Sequence, residues 1–121
     1  MRVELTRRFR FESAHRLPMV PPGHKCARVH GHSFRIDVSL AGEVDPATGW
    51  LVDFGEISAR VEPLLRQELD HRLLNDVPGL ENPTSEVLCG WLWQRLRPLV
   101  PQLSAITVHE TCTARCTYRG E

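Results

Sequence analysis

Two long stretches of the chain alternate apolar and polar positions. Over residues 3–15, Val3, Leu5, Phe9 and Phe11 fall on one side, and Glu4, Thr6, Arg8, Arg10 and Glu12 on the other, with Arg7 the odd-position exception. Over residues 30–40, Phe34, Ile36, Val38 and Leu40 alternate with Arg35, Asp37 and Ser39. A period of two marks half-buried strands. Between them LPMVPPGHKCAR is rich in Pro and Gly and predicts a loop, and GEVDPATGW after the second strand predicts a turn. The period then changes. Asp53, with Glu56 three residues on, has the spacing of a capping box. Ile57, Val61, Leu64, Leu65 and Leu69 supply a helical stripe in which Pro63 predicts a kink or a division. After the irregular LDHRLLNDVPGLENP, PTSE opens a second helix that buries Val87, Leu88, Trp91, Leu92 and Leu96 and ends at Pro98. Residues 103–112 predict a last strand, preceded by a short one around Trp50–Val52.

This order predicts an α+β fold: an antiparallel four-stranded sheet with two helices packed on one face, in a single domain spanning 1–121. The second face of both long strands is polar and charged. A sheet with open edges invites pairing, and joining the edges of several copies into a barrel removes that hazard. Oligomerisation is therefore expected.

Composition narrows the classes. Formal net charge is zero, which gives no ground for a nucleic-acid or anionic-membrane partner. Lys25 is the only lysine, so nearly all the basic charge is arginine, whose planar fork suits phosphate and carboxylate. The start of the chain, MRVELTRRFRF, has no signal-peptide apolar run, and no segment reaches transmembrane length. A cytoplasmic setting with reduced thiols is expected. Cys26, Cys89, Cys112 and Cys116 are spaced neither as a disulfide framework nor as a paired C-x-x-C zinc site, and the last two are expected to be packing residues.

The histidines carry more. His30 and His32 share a strand face that continues through Phe34 and Ile36, and His15 has the parity of Phe9 and Phe11. Three imidazoles aimed at one apolar layer are costly unless partnered. Each can hydrogen-bond locally, but a divalent metal satisfies all three at once, and three protein ligands with an open position is the pattern of a catalytic zinc site. His24 lies in the loop, out of register. A cupin would place a glutamate a few residues after H-x-H, where this chain has Ile36 and Asp37, and an amidohydrolase barrel needs a far longer chain.

Cys26, four residues before His30, is a candidate catalytic thiol, since a thiol near a divalent cation is drawn toward the reactive thiolate. Asp70 beside His71 can orient the imidazole as a proton carrier, provided a turn brings them together. Glu110 has the parity of Ile106 and Val108 in the last strand. A carboxylate there needs donors, and a ligand with two parallel N–H groups would satisfy it.

Taken in order, FESAH, CARVHGH, LDHRLLN, PTSE and HETCT resemble one family closely, from about Phe11 to the C-terminus. The chain is similar to the 6-pyruvoyltetrahydropterin synthase/6-carboxytetrahydropterin synthase family. The three-residue gap between Cys26 and HGH resembles the carboxy branch, which serves queuosine biosynthesis. The resemblance implies a tunnelling fold (T-fold) in which trimers close a barrel and two trimers stack as a homohexamer, with Zn2+ on His15, His30 and His32. It implies 7,8-dihydroneopterin triphosphate as substrate and 6-carboxytetrahydropterin, acetaldehyde and triphosphate as products. Cys26, His71, Asp70 and Glu110 would be catalytic, Glu110 with Thr84 and Ser85 would bind the pterin, and Arg16 or Arg28 could hold the triphosphate. Two other readings compete: a 6-pyruvoyl enzyme using the same residues, and a non-catalytic module whose zinc only stiffens the sheet.

Overall fold

In the computed structural model, which describes residues 1–121, the alternating stretches form β1 (Arg2–His15) and β2 (His30–Glu43). They pair antiparallel without interruption, from Arg2 opposite Glu43 to His15 opposite His30. Two helices follow, α1 (Phe54–Leu64) and α2 (Ser85–Leu96), then β3 (Leu103–His109) and β4 (Arg115–Tyr118). The sheet is antiparallel with strand order β1-β2-β3-β4, and no helix is long and apolar enough to cross a membrane.

The core lies between the sheet and the helices. Phe9, Phe11, Phe34, Ile36, Val38 and Leu40 meet Ile57, Val61, Leu88, Leu92 and Leu96 in one buried cluster, each such side chain contributing roughly 1.5–3 kcal/mol. Phe11 stacks on Phe34 across the ladder, with centroids 5.0 Å apart.

Several local expectations are corrected. Asp53 does cap α1, accepting the Gly55 N–H at 3.0 Å, but Glu56 reaches Arg60 at 3.6 Å instead of closing a box. Pro63 sits inside α1 without dividing it. The irregularity falls just after, as a π turn over Leu65–Leu69 closed by the Asp70 N–H on the Leu65 carbonyl at 2.8 Å. That wider turn keeps both Leu65 and Leu69 in the core. Trp50–Val52 is no strand; it contributes one isolated bridge, Asp45 to Trp50. The fourth strand is instead β4, four residues long and too short to show a period. The third stops at His109, because the backbone turns at Glu110, whose N–H donates to the Ala114 carbonyl at 2.9 Å. Cys112 is exposed at that turn, whereas Cys116 is half-buried against the core. The Cys89 thiol is pushed up to about 12, chiefly by burial, so it stays protonated.

The polar face is laced across strands. Arg8 donates to Asp37 at 2.8 Å, and the His109 Nε2–H donates to the same carboxylate at 2.8 Å. Burial pushes the Asp37 carboxyl up, but the hydrogen bonds from Arg8 and His109 and the arginine's charge outweigh it and hold the group below its ordinary value. A carboxyl held low stabilises the fold above its unfolded pKa, about 3.9, and that contribution is lost as pH falls through the lower folded value. Asp37→Asn is therefore expected to lower the urea midpoint at neutral pH, and the two proteins should converge as pH falls below about 4. Parallel pH curves would show that this carboxylate carries no such linkage.

Candidate metal centre and active site

The last rungs of the β1–β2 ladder place His15 opposite His30 and Ser13 opposite His32. His30 and His32 leave β2 on the core face, two residues apart. The imidazole centroids lie 4.6 Å (His15–His30), 5.0 Å (His15–His32) and 5.8 Å (His30–His32) apart, and His32 stacks on Phe34 at 4.0 Å. One nitrogen from each ring lies within 4.8 Å of the others.

Hydrogen bonds set which nitrogen that is. Each Nδ1 faces a backbone carbonyl: His15 that of Pro83 at 3.1 Å, His30 that of Arg28 at 2.8 Å, His32 that of Ser33 at 3.0 Å. A carbonyl only accepts, so each Nδ1 carries the hydrogen, and in the neutral ring this leaves the lone pair on Nε2. Burial pushes the His15 pKa down, which keeps this ring neutral. The Nε2 atoms of His15 and His32 lie 3.1 Å apart, and in these neutral tautomers both present lone pairs to each other. A divalent cation resolves that conflict. Three neutral imidazoles oriented by outer carbonyls fit zinc, with room for a further ligand.

Two depressions flank the trio. One, of about 530 Å³, is lined by His15, Thr84, Ser85 and Glu110. Thr84 caps α2, accepting the Val87 N–H at 3.1 Å, and the Ser85 hydroxyl donates to the Glu110 carboxylate. Glu110 lies beyond β3, yet this bond keeps it on the helix side with Ile106 and Val108. The other depression, also about 530 Å³, is lined by His32, His71 and Arg72 beside β1 residues 12–14. His71 adopts φ 57°, a left-handed conformation unusual for a side-chain-bearing residue, which supplies the turn that Asp70 and His71 need. Its Nδ1 meets the Asp70 carboxylate at 3.0 Å, leaving Nε2 free on an exposed ring.

Asp70 has a second task. It accepts the Glu12 N–H at 2.9 Å, and this bond is the main cause of its lowered pKa, with His71 and Arg66 adding to it. The His71 N–H donates to the Glu12 carbonyl and the Ala14 N–H to the Arg72 carbonyl, so this loop is stitched to the strand that carries His15. Cys26 sits on a one-turn 3-10 helix (Lys25–Ala27) capped by His24, whose Nδ1 accepts the Cys26 N–H at 3.0 Å. The thiol is half-buried and lines neither depression. Within one chain, therefore, the histidines meet Glu110, Thr84 and Ser85 on one side and His71 on the other, and Cys26 stands apart.

Sequence reasoning missed the orienting partners. Three are carbonyls, invisible in a sequence. The fourth is Asn75, whose amide accepts the Arg16 N–H at 3.0 Å and donates to the Arg16 carbonyl at 2.9 Å, clamping the residue after His15. The asparagine that closes LDHRLLN was its only signal.

The layering and strand order are those of the tunnelling fold. A family model described as 6-pyruvoyl tetrahydropterin synthase matches residues 4–121. A curated 6-carboxy-5,6,7,8-tetrahydropterin synthase from Synechocystis is 43% identical over 115 residues, covering 91% of this chain and 88% of its own. The 6-pyruvoyl tetrahydrobiopterin synthase of Homo sapiens is 33% identical over 97 residues, 76% of this chain and 67% of its own. The structure of 6-pyruvoyl tetrahydropterin synthase from Caenorhabditis elegans superposes with a TM-score of 0.90 at 28% identity, covering 100% of this chain and 97% of that one. The chain belongs to the 6-pyruvoyl tetrahydropterin synthase family and, like these relatives, is an enzyme.

His30→Ala is expected to reduce stoichiometric zinc to background, read by plasma mass spectrometry. Unchanged zinc would sink the ligand assignment. Asn75→Ala keeps all three ligands but should weaken zinc about tenfold in a chelator competition, the usual cost of loosening an outer support.

Proposed function

We propose that the chain converts 7,8-dihydroneopterin triphosphate to 6-carboxy-5,6,7,8-tetrahydropterin, acetaldehyde and triphosphate, with water taken up, as an early step of queuosine or other 7-deazapurine biosynthesis in the cytoplasm. The observation that carries this reading is three convergent imidazole lone pairs beside a carboxylate at a helix N-terminus, in a chain 43% identical to a 6-carboxytetrahydropterin synthase.

His15, His30 and His32 would hold zinc, which supplies Lewis acidity toward the hydroxyls of the substrate side chain. Glu110 anchors the pterin's amino-pyrimidine edge by accepting two N–H donors, and Ser85 keeps the carboxylate turned toward the depression. Thr84 and Ser85 close the pterin subsite at the start of α2. Cys26 Sγ takes the proton from the side-chain carbon next to the ring. His71 Nε2, with Nδ1 held by Asp70, exchanges that proton.

Cys26 and His71 lie apart from Glu110 within one chain, so the reading includes completion across copies. The outer strands β1 and β4 are sheet edges with unpaired backbone groups. Edge-to-edge pairing of three copies into a barrel, and stacking of two such rings as a hexamer, would bring one copy's exposed His71 to another's pterin subsite. The 121 residues act in this reading as one pterin-binding domain. The 33% identity to a 6-pyruvoyl enzyme supports a second reading, in which triphosphate is eliminated and the side-chain carbon–carbon bond is kept.

Mass-spectrometric analysis after incubating zinc-loaded protein with 7,8-dihydroneopterin triphosphate should find 6-carboxytetrahydropterin with acetaldehyde. A pyruvoyl product would select the second reading, and unreacted substrate with zinc verified would reject both. Cys26→Ala should keep its zinc and lose about 10²–10⁴-fold in kcat, the range for a removed acid–base group. Full activity would remove the thiol from the mechanism.

A further inference from the structure

The face of the sheet away from the histidines carries a row of charge that neither the metal centre nor the pterin subsite uses. The register sets Arg10 opposite Arg35, Arg35 opposite His109, and His109 opposite Arg115, so one row crosses all four strands with a basic side chain at every position. Like charges directly opposite on a sheet destabilise it. The adjacent row, Arg8, Asp37, Thr107 and Thr117, is mixed. The neighbouring carboxylates are already committed: Glu12 to Arg10 at 3.0 Å and to Ser33, Asp37 to Arg8 and His109. Arg35 and Arg115 are exposed and have neither an ion pair nor a side-chain hydrogen bond.

Beside this row the turn after β3 encloses a depression of about 460 Å³, walled by Arg8, Arg35, His109 and Arg115 and closed by Thr111 to Ala114. The turn is held by its own bonds, the Thr113 and Ala114 N–H groups donating to the Thr111 hydroxyl. The Cys112 N–H has no acceptor within the chain. Unpaired guanidinium forks, a backbone N–H and threonine hydroxyls are together the donors that a multiply charged tetrahedral oxyanion takes up.

We propose that this row and turn form a binding site for a phosphate-type oxyanion, with an inorganic polyphosphate such as triphosphate as the ligand class, on the opposite face of the sheet from the metal centre. The site does not rest on the pterin reading, because one row of side chains, Arg8 beside it and one turn define it. The zero net charge of the chain argues against a nucleic acid as the source of the phosphates.

The test is calorimetric titration of the zinc-loaded protein with inorganic triphosphate at fixed ionic strength. Saturable binding is expected, weakened at least about tenfold in the Arg35→Gln/Arg115→Gln double variant and unchanged in His30→Ala. Equal affinity in the double variant, or heat that never saturates and fades with salt, would reduce the row to solvated surface. Loss of binding in His30→Ala would move the anion to the metal centre. Either result overturns the proposal. Neither arginine has a partner to lose, so the double variant's thermal midpoint in phosphate-free buffer should match or exceed that of the wild type, which separates loss of the site from loss of the fold. Two sources of the same chemistry remain distinguishable. A raised KM for 7,8-dihydroneopterin triphosphate in the double variant would identify the substrate's own tail. An unchanged KM with weakened inhibition by inorganic triphosphate would identify the free anion, and both support the site.

Discussion

Side chains alternate along a strand, so sliding β1 past β2 by one residue would turn Phe9 and Phe11 to water and Arg8 and Arg10 into the core. The core therefore fixes this register, and the register does three further things. It ends the ladder with His15 opposite His30, which brings in His32 from the same face. It sets Arg8 opposite Asp37, the first half of the polar cluster that His109 completes. And it aligns Arg10 with Arg35, beginning the basic row. Apolar burial worth tens of kcal/mol thus positions polar groups whose own interactions are worth far less. The site is inexpensive to position because the core already specifies where each strand must lie.

What the register cannot do is orient rings. A histidine has two nitrogens, and a metal site needs the same one free on all three. The fold solves this with carbonyls from three different places: the loop before β2, β2 itself, and the approach to α2. The Pro83 contact matters most. It makes His15 depend on α2, as Glu110 does through Ser85, so the start of that helix organises both metal ligand and carboxylate. Asp70 plays the same double part on the other flank, holding His71 with one oxygen and the β1 backbone with the other. Residues assigned to chemistry are here also residues that fasten the strand end.

How much of this was legible depends on the length scale of each signal. Alternation over more than ten residues made β1, β2 and their buried faces plain, and the same parity grouped the histidines correctly. Capping chemistry placed both helix starts within a residue. Short elements are harder to see: β4 offers only four residues and no period, whereas Trp50–Val52 looks like a strand and makes a single bridge. Parity extends a strand through Glu110 because it says nothing about where a ladder stops, and the side chain meets the helix side through Ser85. Pro63 signals a break, but its missing N–H is tolerated inside α1 while the following turn widens. The carbonyls that set each tautomer carry no side-chain identity at all. The basic row needs partners from four strands, and it emerges only once every register is known.

The two faces of the sheet end up with opposite electrostatic solutions to a similar problem. On the core face, three acceptors converge and demand a cation. On the polar face, unpaired donors converge and demand an anion. Mixing them would be costly, because a phosphate oxyanion is a hard oxygen ligand that competes for a zinc coordination position. A β-sheet separates them by one backbone thickness while sharing the same strands: His30 and His32 leave β2 on one side, Arg35 on the other. In the proposed reaction, which releases triphosphate beside a metal, that separation gives the anion a set of arginines to occupy away from the imidazoles. The alternation that first marked β2 as a strand is then also what keeps its two chemistries apart.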